Sequence, residues 1–331
     1  MNYIGMDIHK QFTVAVVKDE RGNKLAQEKF NNTKENFSNF LEVYKHNETK
    51  IVMESTCVWE YIYEILEAMN YCVKLANPVR TRAIAEARKK TDIVDAETLA
   101  DLLRADLISE SYIPPKAIRL LREIARERKT FIKQTTQIKN RIHAILIKRG
   151  IKIPTTTLCK GTLLWIRSNT ISENILKNYL DLLDYYELKL DEINSRIKAI
   201  AEKNTDAELL MTIPGIAEIR AVDIVSEIGE IKRFPTADRL CSYTGLVPSI
   251  HQSGDTLHFG RLVKQSSKAL KWALIEVSWN IVRTKKNNPL QEFYKKLAKK
   301  KGKSKAICAT ARKLCCVIHA MLTNREEFRY S

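Results

Sequence analysis

No C-x-x-C pair and no Cys/His spacing of a zinc site occurs in this sequence, which argues against both a zinc domain and a disulfide framework. The seven cysteines, Cys57, Cys72, Cys159, Cys241, Cys308, Cys315 and Cys316, are odd in number and scattered. They read as reduced, buried thiols of a cytoplasmic protein. No run reaches the roughly 18 apolar residues of a membrane span, and the opening MNYIGMDIHK lacks the apolar stretch of a signal peptide. A glycine-rich phosphate loop is missing too, which disfavours a phosphotransferase. Acid is also in short supply: 39 Asp+Glu face 56 Lys+Arg, for a net charge of +17 and a pI near 9.5. Such an excess suits a polyanion, because contacts to phosphates release condensed counterions. Nucleic acid is therefore the expected partner, with no role for a membrane.

What is present is ordinary globular material, 44% hydrophobic and 29% charged. A chain of 331 residues is long enough for two or three units. Three regions are expected, 1–112, 113–207 and 208–331. In the first, Tyr3 to Met6 and Thr13 to Val17 are strand-like, and Gly22-Asn23 offers a hairpin turn before Lys24 to Phe30. Helical periodicity spans Thr33 to Tyr44, with Asn32 or Thr33 as N-cap, and then about Val58 to Met69. Ile51 to Met53 and Tyr71 to Ala76 complete a mixed sheet flanked by helices. The second region is helical. Leu176, Tyr179, Leu183, Tyr186, Leu190, Ile193, Ile197 and Ile200 alternate spacings of 3 and 4, an a/d seam of coiled-coil type. Leu121, Ile124, Phe131, Ile138, Ile142 and Ile145 follow the same rule, interrupted at Arg128 and Thr135. Two long helices joined around Gly150 to Pro154 give an arm, either an internal hairpin or, slightly favoured, a surface for dimerisation.

Four acids stand where strands end or a helix begins. Asp7 closes the first strand and Glu54 closes Ile51-Val52-Met53-Glu54. Asp92 and Asp95, in Lys90-Thr91-Asp92-Ile93-Val94-Asp95-Ala96, lie i,i+3 on one helix face. Such a group is costly unless cations neutralise it. All-oxygen ligation favours Mg²⁺, and paired ions would activate phosphodiester oxygens. Taken singly, each acid also fits a capping role, with Asp92 as N-cap and Asp95 in a dipole-favoured first turn. Taken as an ordered set in a basic protein, they favour a metal site. Glu97 and Asp101 fit an exposed helix surface better.

The third region is mostly helical. Leu210-Met211-Thr212-Ile213-Pro214-Gly215-Ile216 resembles a helix-hairpin-helix element, whose Pro214-Gly215 turn presents backbone N–H groups to phosphate, though Ala217 replaces the second hairpin glycine. Ser249-Ile250-His251-Gln252-Ser253-Gly254-Asp255 follows, then a basic stretch with Arg261, Lys264, Lys268 and Lys271. On residue chemistry alone Ser253 is a turn serine, and Ser249, Ser266 and Ser267 are equal candidates for any hydroxyl chemistry. The run 295–305 is lysine-rich, and Lys299, Lys300, Lys301 and Lys303 are expected to track phosphates.

The segments GMDIHK, VMES, ANPVRTRAIAEARKKTDIVDA, IPGI and YTGLVPSIHQSGDTLHFGRLVKQSSKALKWAL resemble the DEDD transposases of bacterial insertion sequences. This is the IS-one-ten group, with Piv-type DNA invertases as relatives. The resemblance implies a ribonuclease-H-like (RuvC-like) N-terminal domain whose tetrad is Asp7, Glu54, Asp92 and Asp95. It also implies a C-terminal transposase domain with Ser253 as nucleophile. Donor and target DNA would be the substrates, a guide RNA encoded by the element the further partner, and a homo-oligomer the working form. The rivals are a junction nuclease using activated water, which leaves Ser253 idle, and a non-catalytic nucleic-acid-binding accessory protein, which leaves the acids unexplained.

Overall fold

Ile4, Met6 and Ile8 alternate with Tyr3, Gly5 and Asp7, so the first strand puts apolar side chains on one face of a sheet and its aspartate on the other. A computed structural model describes residues 1–84, 91–155, 157–169, 174–253, 256–284 and 288–329. Lys90, Gly254 and Asp255 lie outside the described residues. The chain divides into two units, Met1–Ile113 and Pro114–Ser331.

The first unit carries β1 (Asn2–Ile8), β2 (Phe12–Lys18), β3 (Lys24–Asn31), β4 (Thr49–Glu54) and β5 (Cys72–Ala76), in the sheet order β3-β2-β1-β4-β5. β1, β4 and β5 run parallel, whereas β2 is antiparallel to both its neighbours. Its helices are α1 (Lys34–Leu41), α2 (Trp59–Ala68), α3 (Pro78–Ile84) and α4 (Asp92–Arg104). On one face Ile4, Met6, Ile51 and Met53 pack with Phe37 and Phe40 of α1 and Ile62 and Leu66 of α2. Of the two capping candidates, Thr33 is the one used: its Oγ1 accepts from Asn36 N at 3.3 Å. α4 covers the opposite face, with Leu99 and Leu103 on Val52 and Ala96 on Val14 and Val16. A Cβ at Gly5 would fall 2.0 Å from Ala96 O and 2.5 Å from Ala100 N. Only glycine therefore lets α4 lie so close on β1. Glu97 and Asp101 do more than decorate a surface. They hold the buried Lys18 of β2, whose Nζ lies 3.0 Å from Glu97 Oε1 and 2.6 Å from Asp101 Oδ2.

Among the described residues the second unit is helical apart from one hairpin. It comprises α5 (Lys116–Lys148), α6 (Lys160–Asn169), α7 (Asn174–Ala201), α8 (Thr205–Met211), α9 (Glu218–Ile228) and α10 (Ala237–Thr244). The hairpin β6 (Pro248–Ser253) and β7 (Thr256–Leu262) follows, then α11 (Lys268–Arg283), α12 (Pro289–Lys301) and α13 (Lys303–Asn324). The seam on α7 is buried, but against its own chain. Leu176 and Leu183 pack with Ile138, Ile142 and Leu146 of α5. Within the chain the seam therefore forms the internal contact, with α5 as its partner. The two interruptions have partners: Arg128 Nε donates to Asn194 Oδ1 at 2.7 Å, and Thr135 Oγ1 to Phe131 O at 2.9 Å. The connection around Gly150 to Pro154 is not a simple turn. It leads into α6, whose Leu163 and Ile166 join the same cluster.

One core runs from Leu121 of α5 and Ile197 of α7 into α9, α11 and α13, so the expected boundary at 207 falls inside this unit. α13 is apolar and long enough by length and composition to cross a membrane, a segment the sequence reading passed over. Its Ala311, Leu314, Cys315 and Ile318 recur at helical spacing and are buried in that core. The cysteines are all free, but not all buried: Cys57, Cys72 and Cys159 are exposed. Cys159, hydrogen-bonded to Thr162, has its thiol pulled down to about 7.

Candidate active site on the N-terminal sheet

Asp7 and Glu54 occupy the C-terminal ends of neighbouring parallel strands, and both project from the face that α4 covers. α4 delivers the other two acids. Thr91, rather than Asp92, is its N-cap, accepting from Val94 N at 3.3 Å. Asp92 and Asp95 therefore stand in the first turn with their carboxylates free of capping duty. Burial raises the Asp7 carboxyl above its ordinary value. His9 opposes this, while the charges of Asp92 and Asp95 push it further up. Three of the four acids thus act on one another through space, and Glu54 stands half-buried at the next strand end.

The sequence reading missed His9. Its Nε2 lies 3.1 Å from Asp7 Oδ2 and 3.4 Å from Asp92 Oδ2. The ring stacks on Phe12 with centroids 4.5 Å apart, and Asn32 Nδ2 donates to the His9 carbonyl at 2.8 Å. Thr13 Oγ1 in turn donates to Asn32 Oδ1 at 2.6 Å. The available signal was spacing: His9 follows Asp7 by two residues, just past the strand end. Ligand atoms of Asp7, His9 and Asp92 all fall within 4.8 Å of one another, a set that could hold a cation. Adjacent ligands of an octahedral ion at about 2.1 Å sit about 3 Å apart, close to the two His9 separations. The two carboxylates repel each other across His9, and this set of oxygen and nitrogen ligands fits a divalent cation.

The remaining site candidates lie in the second unit. Ser253 is the last residue of β6, paired with Thr256 across the hairpin. Its three rivals have structural occupations. Ser267 caps α11, its Oγ accepting from Leu270 N and donating to Glu227 Oε2 at 3.1 Å. Ser266 packs on the left-handed Gly245, and Ser249 on Gly260. Arg261 lies on β7, Lys264 in the following loop, and Lys268 opens α11, all exposed. Lys271 Nζ donates to Gly245 O at 3.0 Å. Pro214 and Gly215 form the turn between α8 and α9, where Gly215 adopts φ 95° and backs onto Ile281 of α11. Lys299, Lys300 and Lys301 make the exposed last turn of α12, and Lys303 begins α13.

Comparison with known proteins agrees with this layout. A family model for IS110-type DEDD transposases, described as a transposase, matches residues 4–148. A second, described as transposase of the IS116/IS110/IS902 family, matches residues 207–295. The pilin gene-inverting protein of Moraxella bovis is 27% identical over 343 residues, covering 98% of this chain and 97% of that protein. The transposase for insertion sequence element IS1111A of Coxiella burnetii is 24% identical over 295 residues, 84% of this chain and 79% of its own length. The transposase for IS1328 of Yersinia enterocolitica is 24% identical over 284 residues. The mixed sheet and the helical second unit suit a ribonuclease-H-like DEDD enzyme, and the chain belongs to the IS110/IS116 family of insertion-sequence transposases, which cut and rejoin DNA.

Proposed function

We propose that this transposase exchanges DNA strands with Mg²⁺ held by Asp7, Glu54, Asp92 and Asp95, and with the Ser253 hydroxyl as nucleophile. The observation that carries the reading is the meeting of Asp7, His9 and Asp92, whose ligand atoms lie within 4.8 Å of one another, with the charge of Asp95 also acting on the Asp7 carboxyl. The bound ion would neutralise that charge and polarise the scissile phosphate. Beside Asp92 a cleft of about 410 Å³, lined in part by Val14, Lys29 and Thr91, leaves room for the substrate backbone.

Ser253 Oγ attacks phosphorus and loses its proton, a Ser–O–P bond forms, and the bond to the departing deoxyribose oxygen breaks as that oxygen takes up a proton. The phosphodiester energy is kept in the phosphoserine, so attack by a second strand end rejoins DNA without an external energy source. The resemblance to the DEDD transposases is what assigns this role to Ser253. Arg261 and Lys264 steady the phosphate charge. The Pro214-Gly215 turn, Lys268, Lys271 and the cations at 299, 300, 301 and 303 hold the DNA backbone. The reaction takes place in the cytoplasm under direction of a guide RNA encoded by the element, and the net charge of +17 suits a protein that holds two nucleic acids.

The test is denaturing electrophoresis of a labelled DNA substrate trapped in mid-reaction, with mass spectrometry of the linked peptide. A covalent adduct on Ser253 is expected in the parent protein and none in Ser253→Ala. An adduct that persists in the variant, or cleavage without any adduct, replaces this mechanism by water attack. Sequencing of RNA co-purified after expression with the flanking element DNA tests the guide, and absence of an enriched species removes it.

A further inference from the structure

Trp272 is the exposed one of the four tryptophans, with 38% of its surface open, although it stands on a helix whose other face is core. It lines an open cleft of about 350 Å³ together with Lys129, Ile132 and Lys133 of α5 and Lys268 and Ala269 of α11. A fourth cation lies against the ring: Arg220 of α9 stacks with its guanidinium carbon 4.3 Å from the centroid. Lys129 Nζ is 5.6 Å from the same centroid. These cations are organised from below. Asp223, 1% exposed, accepts from Arg220 Nη1 at 2.9 Å and stands 3.6 Å from Lys129 Nζ. Asp223 and the Lys129 ammonium are thus buried beneath the ring, while Lys133 and Lys268 stand exposed beside an apolar floor.

A duplex needs only the cations, since its bases are stacked on one another and offer no free face. An apolar aromatic floor under a ring of positive charge suits a nucleotide that has left the stack, its base on the indole and its phosphates on the lysines. Strand exchange creates such nucleotides. We propose that the Trp272 cleft binds an unpaired nucleotide of the DNA strand in transit, by stacking on Trp272 and by phosphate contacts from Lys133 and Lys268. The proposal rests on the strand-exchange reading, but its test needs no catalysis.

Fluorescence anisotropy of labelled single-stranded DNA against the full-length protein separates base from phosphate, using an abasic strand of equal length as the second probe. The base-bearing strand is expected to bind about tenfold tighter. Trp272→Leu should bring its affinity down to that of the abasic strand, and Trp272→Phe, which keeps a ring, should preserve part of the preference. Lys133→Gln and Lys268→Gln should weaken both strands by the same factor. Equal binding of the two strands by the parent protein overturns the cleft as a base site, as does a preference that survives in a folded Trp272→Leu. Should that variant not fold, the Trp272→Phe comparison decides: indole fluorescence quenched by base-bearing DNA in the parent and equally quenched in the variant also overturns it. Tighter, Trp272-dependent binding of RNA or of polyglutamate assigns the cleft to another ligand. If neither DNA probe binds at all, it is the nucleic-acid reading of the whole protein that fails.

Discussion

In the first unit α4 lies on β1 so closely that only a glycine fits beneath it, whereas in the second unit α5 and α7 meet through full-sized side chains such as Ile142 and Leu183. Backbone-to-backbone approach leaves a helix little freedom to shift, and α4 is the helix that carries Asp92 and Asp95 towards Asp7. Side-chain packing of this kind buries more apolar surface and yields stability. Its seam carries no chemistry. Chemical precision and packing strength have been assigned to different helix contacts, so substitutions at the two places should fail in different ways.

The largest effect is expected at Asp7. Asp7→Asn should lower strand exchange on the order of 10³-fold or more, measured on a plasmid recombination substrate. The same change should raise the melting temperature in metal-free buffer by a few degrees. The sign follows from the raised folded-state pKa: the native state binds this proton more readily than the unfolded chain, so the ionised carboxylate lowers stability once pH rises through the shifted range. Divalent metal should then stabilise the parent protein and leave Asp7→Asn unmoved. A variant that loses activity and stability together would make Asp7 a packing residue, and the contrast between the two units would collapse.

Leu183 should behave in the opposite sense. It is fully buried, and Leu183→Ala should cost roughly 2–5 kcal/mol of stability, read by chemical denaturation. Divalent-metal affinity should be unchanged. Sedimentation should report the same mass, because the seam is filled within one chain. A halved mass with little loss of stability would return the seam to an interface between copies.

Much of the first unit was legible because strand rules are local. Alternation assigned the faces of the first strand, and the strand-end positions of Asp7 and Glu54 marked where a parallel sheet gathers functional groups. The i,i+3 spacing placed Asp92 and Asp95 on one face before their cap was known. The capping alternative for Asp92 stayed open in the sequence because Thr and Asp are near-equal caps, and only the register of the turn chooses Thr91. His9 was invisible as a site residue, since a single histidine after a strand says nothing about where its ring turns until Phe12 and Asn32 fix it. In the second unit the heptads correctly named buried positions, with Leu176, Leu183, Ile193 and Ile197 all covered. A heptad states that a face is buried, not whether the partner is the same chain. α6 hid in the connection because only Leu163 and Ile166 mark its buried face clearly.

The smallest expected effect is also the most discriminating, and it concerns two threonines with the same local duty. Thr91 caps α4 and Thr33 caps α1, each accepting a backbone N–H at 3.3 Å. Replacing either with alanine should cost about 1 kcal/mol, a modest shift in denaturation midpoint that is alike for both. Their consequences for metal should diverge. The first turn of α4 carries Asp92 and Asp95, and fraying it allows those carboxylates to move away from Asp7, whereas the first turn of α1 bears no site residue. Calorimetric titration with Mg²⁺ or Mn²⁺ should therefore show weaker binding for Thr91→Ala by roughly fivefold, the equivalent of about 1 kcal/mol, and parent-like binding for Thr33→Ala. Because stability falls equally in the two variants, a general softening of the unit cannot imitate the difference. Equal metal affinity in both would mean that the seat of α4 on Gly5, rather than its cap, is what holds the acids in place.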